Sequence, residues 1–385
     1  MSNCLANSAM LALFWFAAFF LLYTLAGYPL ALWAVSRFRG RPHHRSAIIP
    51  SVSIVIAAHN EAGGIANKIL NCLELTYPPD KREIIVASDA SDDQTVEIAS
   101  SFAQQGVKVI DIRERRGKQF AQWRARDVAR GEILVFTDVG VLLDREALQS
   151  IVSNFADPEV GCVSSEDRVI RHGRKEGERS YVDFEMWMRR LESRIGSLVT
   201  ASGSFFAARR SVCEVWHTDQ TSDFFVVLNT VGRRMRAVVD PESIGRYGLS
   251  RSDQGELRRK VRTIVNGLEV FFTHLDLANP FRYGFFSCQL ISHKLFRWLV
   301  PVAVLVLLVS NTFLWRLGGF YQLCLLLQTG AYGMGFVALA ADRLLHWKPS
   351  KLAGYFLLGS AATLVAWFYF LSGEKFVSWQ PTQRG

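Results

Sequence analysis

The chain has 385 residues, of which 50% are hydrophobic, and its formal net charge is +9. The apolar fraction is high for a soluble domain, while the absence of an aromatic-interleaved basic motif argues against a nucleic-acid-binding protein. The six cysteines show no paired spacing, so we interpret them as reduced packing residues.

Uncharged stretches at both ends of the chain predict membrane-spanning helices. Residues 1–36, 317–341 and 352–373 carry no charge, and each stretch exceeds the roughly 20 residues that a spanning helix needs. A shorter uncharged stretch covers 299–315. The first stretch is too long for the apolar part of a secretory signal and has no basic residue before it, which argues against a cleaved signal. We predict four spans, one before and three after a polar middle.

Basic residues follow the first predicted span immediately, at Arg37, Arg39, Arg41 and Arg45. Positively charged flanks tend to stay on the cytoplasmic side of a membrane. We therefore expect a multi-pass protein of the cell inner membrane whose polar middle domain lies in the cytoplasm.

The middle of the chain alternates between strand and helix patterns. Four apolar, β-branched runs, at 51–57, 83–88, 107–112 and 133–137, are each followed by a helical pattern or a helix start. This alternation predicts a Rossmann-like α/β domain with a mostly parallel sheet covered on both faces. The turn after the first strand lacks the G-x-G-x-x-G motif, which argues against a dinucleotide-dependent oxidoreductase.

Charged residues stand where these strands end. Glu61, Asp89 and Asp138 follow three of the strands, and Lys118 follows the other. Ligands of open α/β sheets bind beyond the carboxyl ends of the strands. Carboxylates accept hydrogen bonds from nucleobase and ribose groups, and an ammonium group complements phosphate. The cluster therefore predicts a nucleotide site.

In their order and spacing, these motifs resemble the membrane-bound family 2 glycosyltransferases, the group that includes cellulose, hyaluronan and poly-N-acetylglucosamine synthases. The motifs that carry the resemblance lie at 52–61, 87–93, 117–118, 135–138, 201–210, 222–223 and 292–298. The resemblance implies a GT-A type fold and an inverting transfer of sugar from a nucleotide sugar, usually a UDP-sugar. It also implies a role in exopolysaccharide or glycolipid biosynthesis.

The resemblance assigns roles on the donor side of the site. Glu61 and Asp89 would hold uracil and ribose, and Lys118 would face the nucleotide. Arg262 stands where processive synthases carry an arginine, and it would neutralise the departing diphosphate.

Asp138 corresponds to the first acid of the Asp-x-Asp metal motif in that family, which implies binding of Mg²⁺ or Mn²⁺. The second acid is replaced by Gly140. Because Mg²⁺ commonly uses one or two carboxylates together with substrate phosphates, we expect weak metal binding without nucleotide. We interpret Asp144 as the N-cap of the next helix.

The resemblance also places the acceptor. Asp223 would be the general base that takes the proton of the acceptor hydroxyl. Ser222 replaces the usual preceding acid, which removes a negative charge and favours ionisation of Asp223. Gly203 and Ser204, in a small-residue segment, would form the floor of the acceptor pocket.

We divide the chain into an N-terminal transmembrane helix at 1–36, a cytoplasmic GT-A domain at 37–283, an interfacial amphipathic helix at 284–298, three transmembrane helices at 299–373 and a polar tail at 374–385. A helix in the membrane interface would bring the active site to the membrane surface. This geometry favours a lipid-linked or glycan acceptor.

Two other functions remain open. A non-catalytic subunit that binds a nucleotide sugar or a partner synthase would explain the replaced motif positions Gly140, Ser222 and Thr263. The joint retention of Asp138, Asp223 and Arg262 favours an enzyme, with or without a partner subunit. A transporter is disfavoured because no intramembrane charge marks a pathway.

Overall fold

The computed structural model describes residues 2–169, 176–248, 253–340 and 348–374. Apart from Glu374, the polar tail predicted at 374–385 lies outside the described residues. The strands of the described part are β1 Val52–Ala58, β2 Arg82–Asp89, β3 Val107–Ile112, β4 Ile133–Asp138, β5 Val141–Leu143, β6 Val160–Val169, β7 Phe205–Arg209 and β8 Arg236–Tyr247.

The helices before the C-terminal spans are α1 Ser2–Leu22, α2 Tyr28–Phe38, α3 Ile65–Leu73, α4 Thr95–Ser100, α5 Lys118–Val128, α6 Ala147–Ser153, α7 Glu176–Ile195, α8 Ser222–Gly232, α9 Asp253–Thr273 and α10 Pro280–Tyr283. They are followed by α11 Phe285–Leu290, α12 Phe296–Leu314, α13 Gly319–Ala340 and α14 Lys348–Leu371. Two π-helical turns, Tyr23–Gly27 and Ile291–Leu295, join α1 to α2 and α11 to α12.

The eight strands form one sheet in the order β3-β2-β1-β4-β7-β6-β8-β5. Strands β1 to β4 run parallel to one another, as the alternating sequence pattern predicts. Strand β7 is antiparallel to β4 and β6, and β5 is antiparallel to β8, whereas β6 and β8 are parallel. The sheet is therefore mixed, with its parallel half at the N-terminal side of the domain.

Both faces of the parallel half are covered. On one face Val55 and Ala57 of β1 pack in the same core as Phe225 of α8, and on the other face Ile54 and Ile56 pack in a second core. Successive side chains of a strand point to opposite faces, so a strand buried on both sides must be apolar throughout. This explains the continuous apolar runs in the sequence.

Among the described residues, four helical segments are long and apolar enough to cross a membrane, namely Asn7–Phe38, Phe285–Leu317, Gly319–Ala340 and Pro349–Leu371. Their number and positions agree with the four spans expected from the sequence. The segment at 284–298, expected to be an interfacial helix, is not a separate element. It forms one helical run with α12, beginning at Phe285 and continuing through the π turn.

A buried polar network joins the domain to the first two spans. Glu192 of α7 accepts a hydrogen bond from the hydroxyl of Tyr28 at 2.8 Å and contacts Nδ1 of His293 at 2.6 Å. Glu185 of α7 lies 2.5 Å from Arg297 and 3.3 Å from Nε2 of His293. Buried carboxylates are stable only when they are paired and hydrogen-bonded. These contacts therefore fix α7 against both spans.

Part of the basic flank that follows the first span is bound to the domain. Arg41 lies 2.7 Å from Glu159, and Arg45 lies 3.0 Å from Glu242 and 3.3 Å from Asp240. Asp240 is fully buried, so Arg45 supplies a counter-charge that water cannot. The flank thus ties the first span to the sheet.

Candidate active site

An ion pair stands at the carboxyl end of β4. Asp138 is the last residue of that strand, and Lys118 is the first residue of α5. The Nζ of Lys118 lies 2.5 Å from Oδ1 of Asp138 and donates to the carbonyl oxygen of Gly203 at 3.1 Å. The backbone N–H of Asp138 donates to the carbonyl of Ser204 at 3.1 Å. Four residues singled out in the sequence therefore meet at one point.

Asp89 ends β2 and is 1% exposed. Its two carboxylate oxygens accept hydrogen bonds from the backbone N–H groups of Arg116 and Gly117, each at 2.8 Å. Gly117 has a φ of +92°, a conformation that glycine adopts without steric cost. Asp89 thus holds the turn that positions Lys118.

Glu61 lies on the loop after β1, beside the loop after β2. Its backbone N–H donates to the hydroxyl of Thr95 at 2.8 Å. The two loops are joined by His59, whose Nδ1 lies 2.6 Å from the carbonyl oxygen of Asp89, and by the hydrogen bond from the N–H of Asn60 to Ser91 Oγ at 3.1 Å. Glu61 is half-buried at the same edge of the sheet as Asp89.

The small-residue segment before β7 is held by an aspartate that the sequence analysis did not single out. Asp167 of β6 accepts hydrogen bonds from the hydroxyl of Ser202 at 2.7 Å and of Ser204 at 2.8 Å. Asp167 lies in a strand whose first half is fully buried, so only the tertiary structure reveals that its side chain points into the site. It fixes the backbone on both sides of Gly203.

Asp223 lies in the first turn of α8 and faces this segment. A Cβ at Gly203 would lie 3.4 Å from the carboxyl carbon of Asp223, so the glycine keeps that face of the carboxylate open. The N–H of Ala201 donates to the carbonyl oxygen of Asp223 at 3.0 Å. Ser222, where the family usually has an acid, donates to the amide oxygen of Gln122 at 2.7 Å and so joins α8 to α5.

Asp223 is a half-buried carboxylate that lies near three cations. Burial raises the pKa of the Asp223 carboxyl above its ordinary value, and the charges of Lys118, Lys294 and Arg189 reverse only part of that shift. The absence of an acid at position 222 was expected to favour ionisation, but burial is the larger effect. A carboxylate with a raised pKa is a stronger base than an exposed one.

A fully buried lysine supports the end of β4. Lys68 of α3 donates to the hydroxyl of Thr137 at 2.9 Å and to the carbonyl of Val141 at 2.6 Å. Burial lowers the pKa of Lys68, and the charge of Asp138 opposes that change. In the sequence, Lys68 lies on the apolar stripe of its helix between Ile65 and Cys72, and this position is the sequence feature that could have indicated its burial.

The carboxylates near Asp138 do not form a metal site on their own. Within the described ranges, no three His, Cys, Asp or Glu residues are grouped closely enough to hold a metal ion. Asp144 is not the N-cap expected from the sequence, because α6 begins at Ala147 and Glu146 occupies the N-cap position. The carboxylate of Asp144 instead binds the guanidinium of Arg246 at 2.6 and 2.8 Å. Asp138 is thus a single carboxylate at the end of β4, paired with Lys118.

Arg262 is the one predicted site residue that the structure does not bring to this point. It lies on α9, which packs through Val261 and Val265 against Ala362 of α14. In the described part of the chain, no contact joins Arg262 to Asp138 or Asp223.

Residues 53–216 match the family model described as Glycosyl transferase family 2. A poly-beta-1,6-N-acetyl-D-glucosamine synthase of Staphylococcus aureus is 26% identical over 231 residues, which cover 58% of this chain and 56% of that protein. The synthase of the same name from Staphylococcus epidermidis is 25% identical over 202 residues, covering 49% and 48%. The chain thus spans about half the length of these curated relatives.

Among solved structures, a mannosyltransferase from Pyrobaculum calidifontis, in complex with GDP-Man and Mn²⁺, superposes with a TM-score of 0.74. It is 24% identical, and the match covers 94% of this chain and all of that chain (100%). This likeness confirms the GT-A type α/β fold that the sequence predicts.

Proposed function

The chain carries a family 2 glycosyltransferase domain at residues 53–216, and from this premise we propose that it is an inverting glycosyltransferase. It moves a sugar from a nucleotide sugar, a UDP-sugar, to a hydroxyl group of a membrane-associated acceptor. The observation that supports this proposal most is the convergence of Lys118, Asp138 and Asp223 around Gly203 at the strand ends.

In the proposed reaction, Asp223 acts as the general base. The acceptor oxygen forms a bond to the anomeric carbon while its proton passes to the carboxylate of Asp223. The bond from the anomeric carbon to the diphosphate breaks, and its electron pair leaves with the nucleoside diphosphate. Attack on the face opposite the leaving group inverts the anomeric carbon. The raised pKa of Asp223 supports this role because it strengthens the base.

On the donor side, we propose that Glu61 and Asp89 contact the base and ribose of the nucleotide and that Lys118 contacts its diphosphate. The joined loops after β1 and β2 support this assignment because they hold both carboxylates at one edge of the sheet. Arg262 keeps its proposed diphosphate role only if α9 approaches the donor during the reaction.

The residues present fit a divalent cation that is shared with the donor. Asp138 would hold Mg²⁺ or Mn²⁺ through its carboxylate, and substrate phosphates and water would supply the remaining ligands. When bound, such an ion would stabilise the negative charge that develops on the departing diphosphate. Without nucleotide, the ammonium of Lys118 already satisfies Asp138, which supports weak metal binding in that state.

For the acceptor, we propose a lipid-linked or glycan molecule at the membrane surface, reached over Gly203 and Ser204. The helical run from Phe285 supports this proposal because it leads from the domain directly into a candidate span. The basic flank after the first span supports a cytoplasmic domain in a multi-pass protein of the inner membrane. The names of the relatives in Staphylococcus support a role in exopolysaccharide or glycolipid biosynthesis.

The experiment that tests this function is UDP release by the full chain in lipid nanodiscs, with a panel of UDP-sugars and membrane lipid extract. Mg²⁺ and Mn²⁺ are supplied in parallel with a chelator control. We expect release from one preferred UDP-sugar, dependent on metal and stimulated by the extract. UDP binding without release from any sugar would instead support a non-catalytic subunit that binds nucleotide sugar or a partner synthase.

A further inference from the structure

Arg189, a largely buried arginine near Asp223, has donors for which the described residues offer no hydrogen-bond acceptor. The side chain of Arg189 on α7 is 12% exposed, and its Nε and NH1 atoms have no hydrogen-bond acceptor among the described residues. The carboxylate of Asp167 lies 4.0 Å from NH1, which is beyond hydrogen-bond distance. Buried polar groups are nearly always hydrogen-bonded. The unused donors therefore indicate an acceptor that arrives with a ligand.

Asp167 cannot easily supply the missing hydrogen bonds by a small movement. Its oxygens already accept from Ser202 and Ser204, the residues that flank Gly203. Turning the carboxylate toward Arg189 would release the two hydroxyl groups that fix this segment. The guanidinium of Arg189 thus lies beside the segment around Gly203 without donating a hydrogen bond to it.

A second cation reaches the same place from the membrane side. Lys294 lies in the π-helical turn Ile291–Leu295, and its Nζ is 4.9 Å from the centre of the Phe224 ring, the residue after Asp223. π-helical turns insert an extra residue into a helix and are frequent at functional sites. Here the neighbouring His293 contacts Glu192 and Glu185. The turn therefore directs the side chains of Lys294 and His293 toward the domain.

Carboxylates lie near both cations but leave two donors of Arg189 without an acceptor. Arg189 and Lys294 both act electrostatically on Asp223, as does Lys118, which is already paired with Asp138. Glu185 acts electrostatically on both Arg189 and Lys294. In the described part of the chain, no carboxylate lies within ion-pair distance of Lys294, and Nε and NH1 of Arg189 have no hydrogen-bond acceptor. The oxygens of a phosphate group could accept from these two donors.

We propose that Arg189 and Lys294 bind a phosphate ester group of the acceptor, at the membrane end of the site beside Asp223. Guanidinium and ammonium groups are the side chains that recognise phosphate, by charge-assisted hydrogen bonds. This inference rests on the proposed function, and it narrows the hydroxyl-bearing acceptor to a lipid-linked glycan whose lipid phosphate lies at this position.

The position of Lys294 favours the acceptor phosphate over the donor diphosphate. Lys294 belongs to the helical run that continues as the candidate span Phe285–Leu317, so a lipid in the membrane lies along its own helix. The donor has a separate cation, Lys118, at the strand ends. The two phosphate-bearing substrates would thus meet opposite sides of Gly203.

The test measures binding of farnesyl phosphate, with farnesol as the matched uncharged lipid, to the full chain in phosphatidylcholine nanodiscs. The variants are Arg189→Gln, Lys294→Gln and Arg189→Lys, and UDP binding is measured on the same samples by calorimetry. Arg194→Gln is the matched control because it removes a positive charge from an exposed position of the same helix.

We expect wild type to prefer farnesyl phosphate over farnesol. Each Gln variant should lose about tenfold or more of its affinity for farnesyl phosphate, the usual effect of removing a hydrogen bond to a charged group. Arg189→Lys should retain part of the affinity for farnesyl phosphate. The affinity for UDP should stay at the wild-type value in these variants, and Arg194→Gln should keep the wild-type affinity for both ligands.

Equal affinity of wild type for farnesyl phosphate and farnesol would overturn the proposal. The proposal would also be overturned if the Gln variants lost affinity for UDP but kept their affinity for farnesyl phosphate. In that case the two cations would bind the nucleotide. Failure of the proposed function has a different signature, namely no UDP release from any sugar while the lipid-phosphate preference persists.

Discussion

The ammonium of Lys118 lies 2.5 Å from the carboxylate of Asp138, at the place where a metal-binding acid is expected from the sequence. The same ammonium donates to the carbonyl oxygen of Gly203, next to Asp223, the proposed general base. One lysine therefore joins the proposed donor half of the site to the proposed acceptor half. A divalent cation that binds Asp138 must compete with it.

Replacing Lys118 should expose this competition. In Lys118→Met the carboxylate of Asp138 loses its counter-charge, so we expect tighter Mn²⁺ binding in the absence of nucleotide than in wild type, together with slower transfer. Electron paramagnetic resonance of free Mn²⁺ measures the first effect without relying on activity. The matched control is Lys108→Met, which removes a lysine paired with Glu83 at the far edge of the sheet. Unchanged Mn²⁺ affinity in Lys118→Met would contradict the competition.

The pH dependence of transfer should report the ionisation of Asp223. A base works only when ionised, and burial raises the pKa of this carboxyl, so kcat/KM should begin to fall at a higher pH than for an ordinary aspartate. Lys294→Gln removes a charge that lowers this pKa. The acid limb of that variant should therefore move to still higher pH, measured with saturating acceptor. An acid limb that stays at the wild-type pH would argue that Lys294 does not face Asp223.

Gly131, before β4, should be required for stability and not for chemistry. A Cβ at this position would lie 2.5 Å from the backbone nitrogen of Ser53, so β1 would have to shift. We expect Gly131→Ala to cost about 1–3 kcal/mol, as overpacking in a tight core does, and to lower the melting temperature. Gly196→Ala is the control because nothing lies within 4 Å of the Cβ position there. Equal melting temperatures for the two variants would show that β1 can relax.

The network around Glu192 should be the main polar attachment between the domain and the spans. Glu192→Leu leaves the hydroxyl of Tyr28 and the imidazole of His293 without their buried partner. Removing one member of a buried pair costs about 3–5 kcal/mol, so we expect a large drop in melting temperature in detergent. Glu214→Leu is the comparison, since its exposed pair with Arg233 contributes about 0–1 kcal/mol. Similar melting temperatures would mean that apolar packing alone fixes α7.

The parallel half of the fold was predictable from the sequence because each of its strands is marked by a pattern within a short segment of the chain. Each of β1 to β4 is an apolar run followed by a helix, and that pattern determines both burial and crossover. The other half depends on pairing between distant segments. For example, β8 lies between β6 and β5, and no short pattern in 236–247 indicates either neighbour.

The site was predictable where a motif marked it. Asp138 ends β4, and Lys118 and Asp223, in the first turns of α5 and α8, lie beside it around Gly203. Asp167 and Arg189 were missed because a single charge in a strand or an amphipathic helix gives the same pattern as a solvated one. Only the packing of β6 and α7 turns them inward.

The measurement that tests the central claim most directly compares Asp223→Asn with wild type for UDP release and UDP binding in nanodiscs. Asparagine keeps the size of the side chain and cannot accept the acceptor proton. We expect UDP affinity to be retained while acceptor-dependent release falls by about 10² to 10⁴, the usual contribution of a general base. Release at a rate close to wild type would contradict the assignment of Asp223 as the base and, with it, the proposed geometry of transfer.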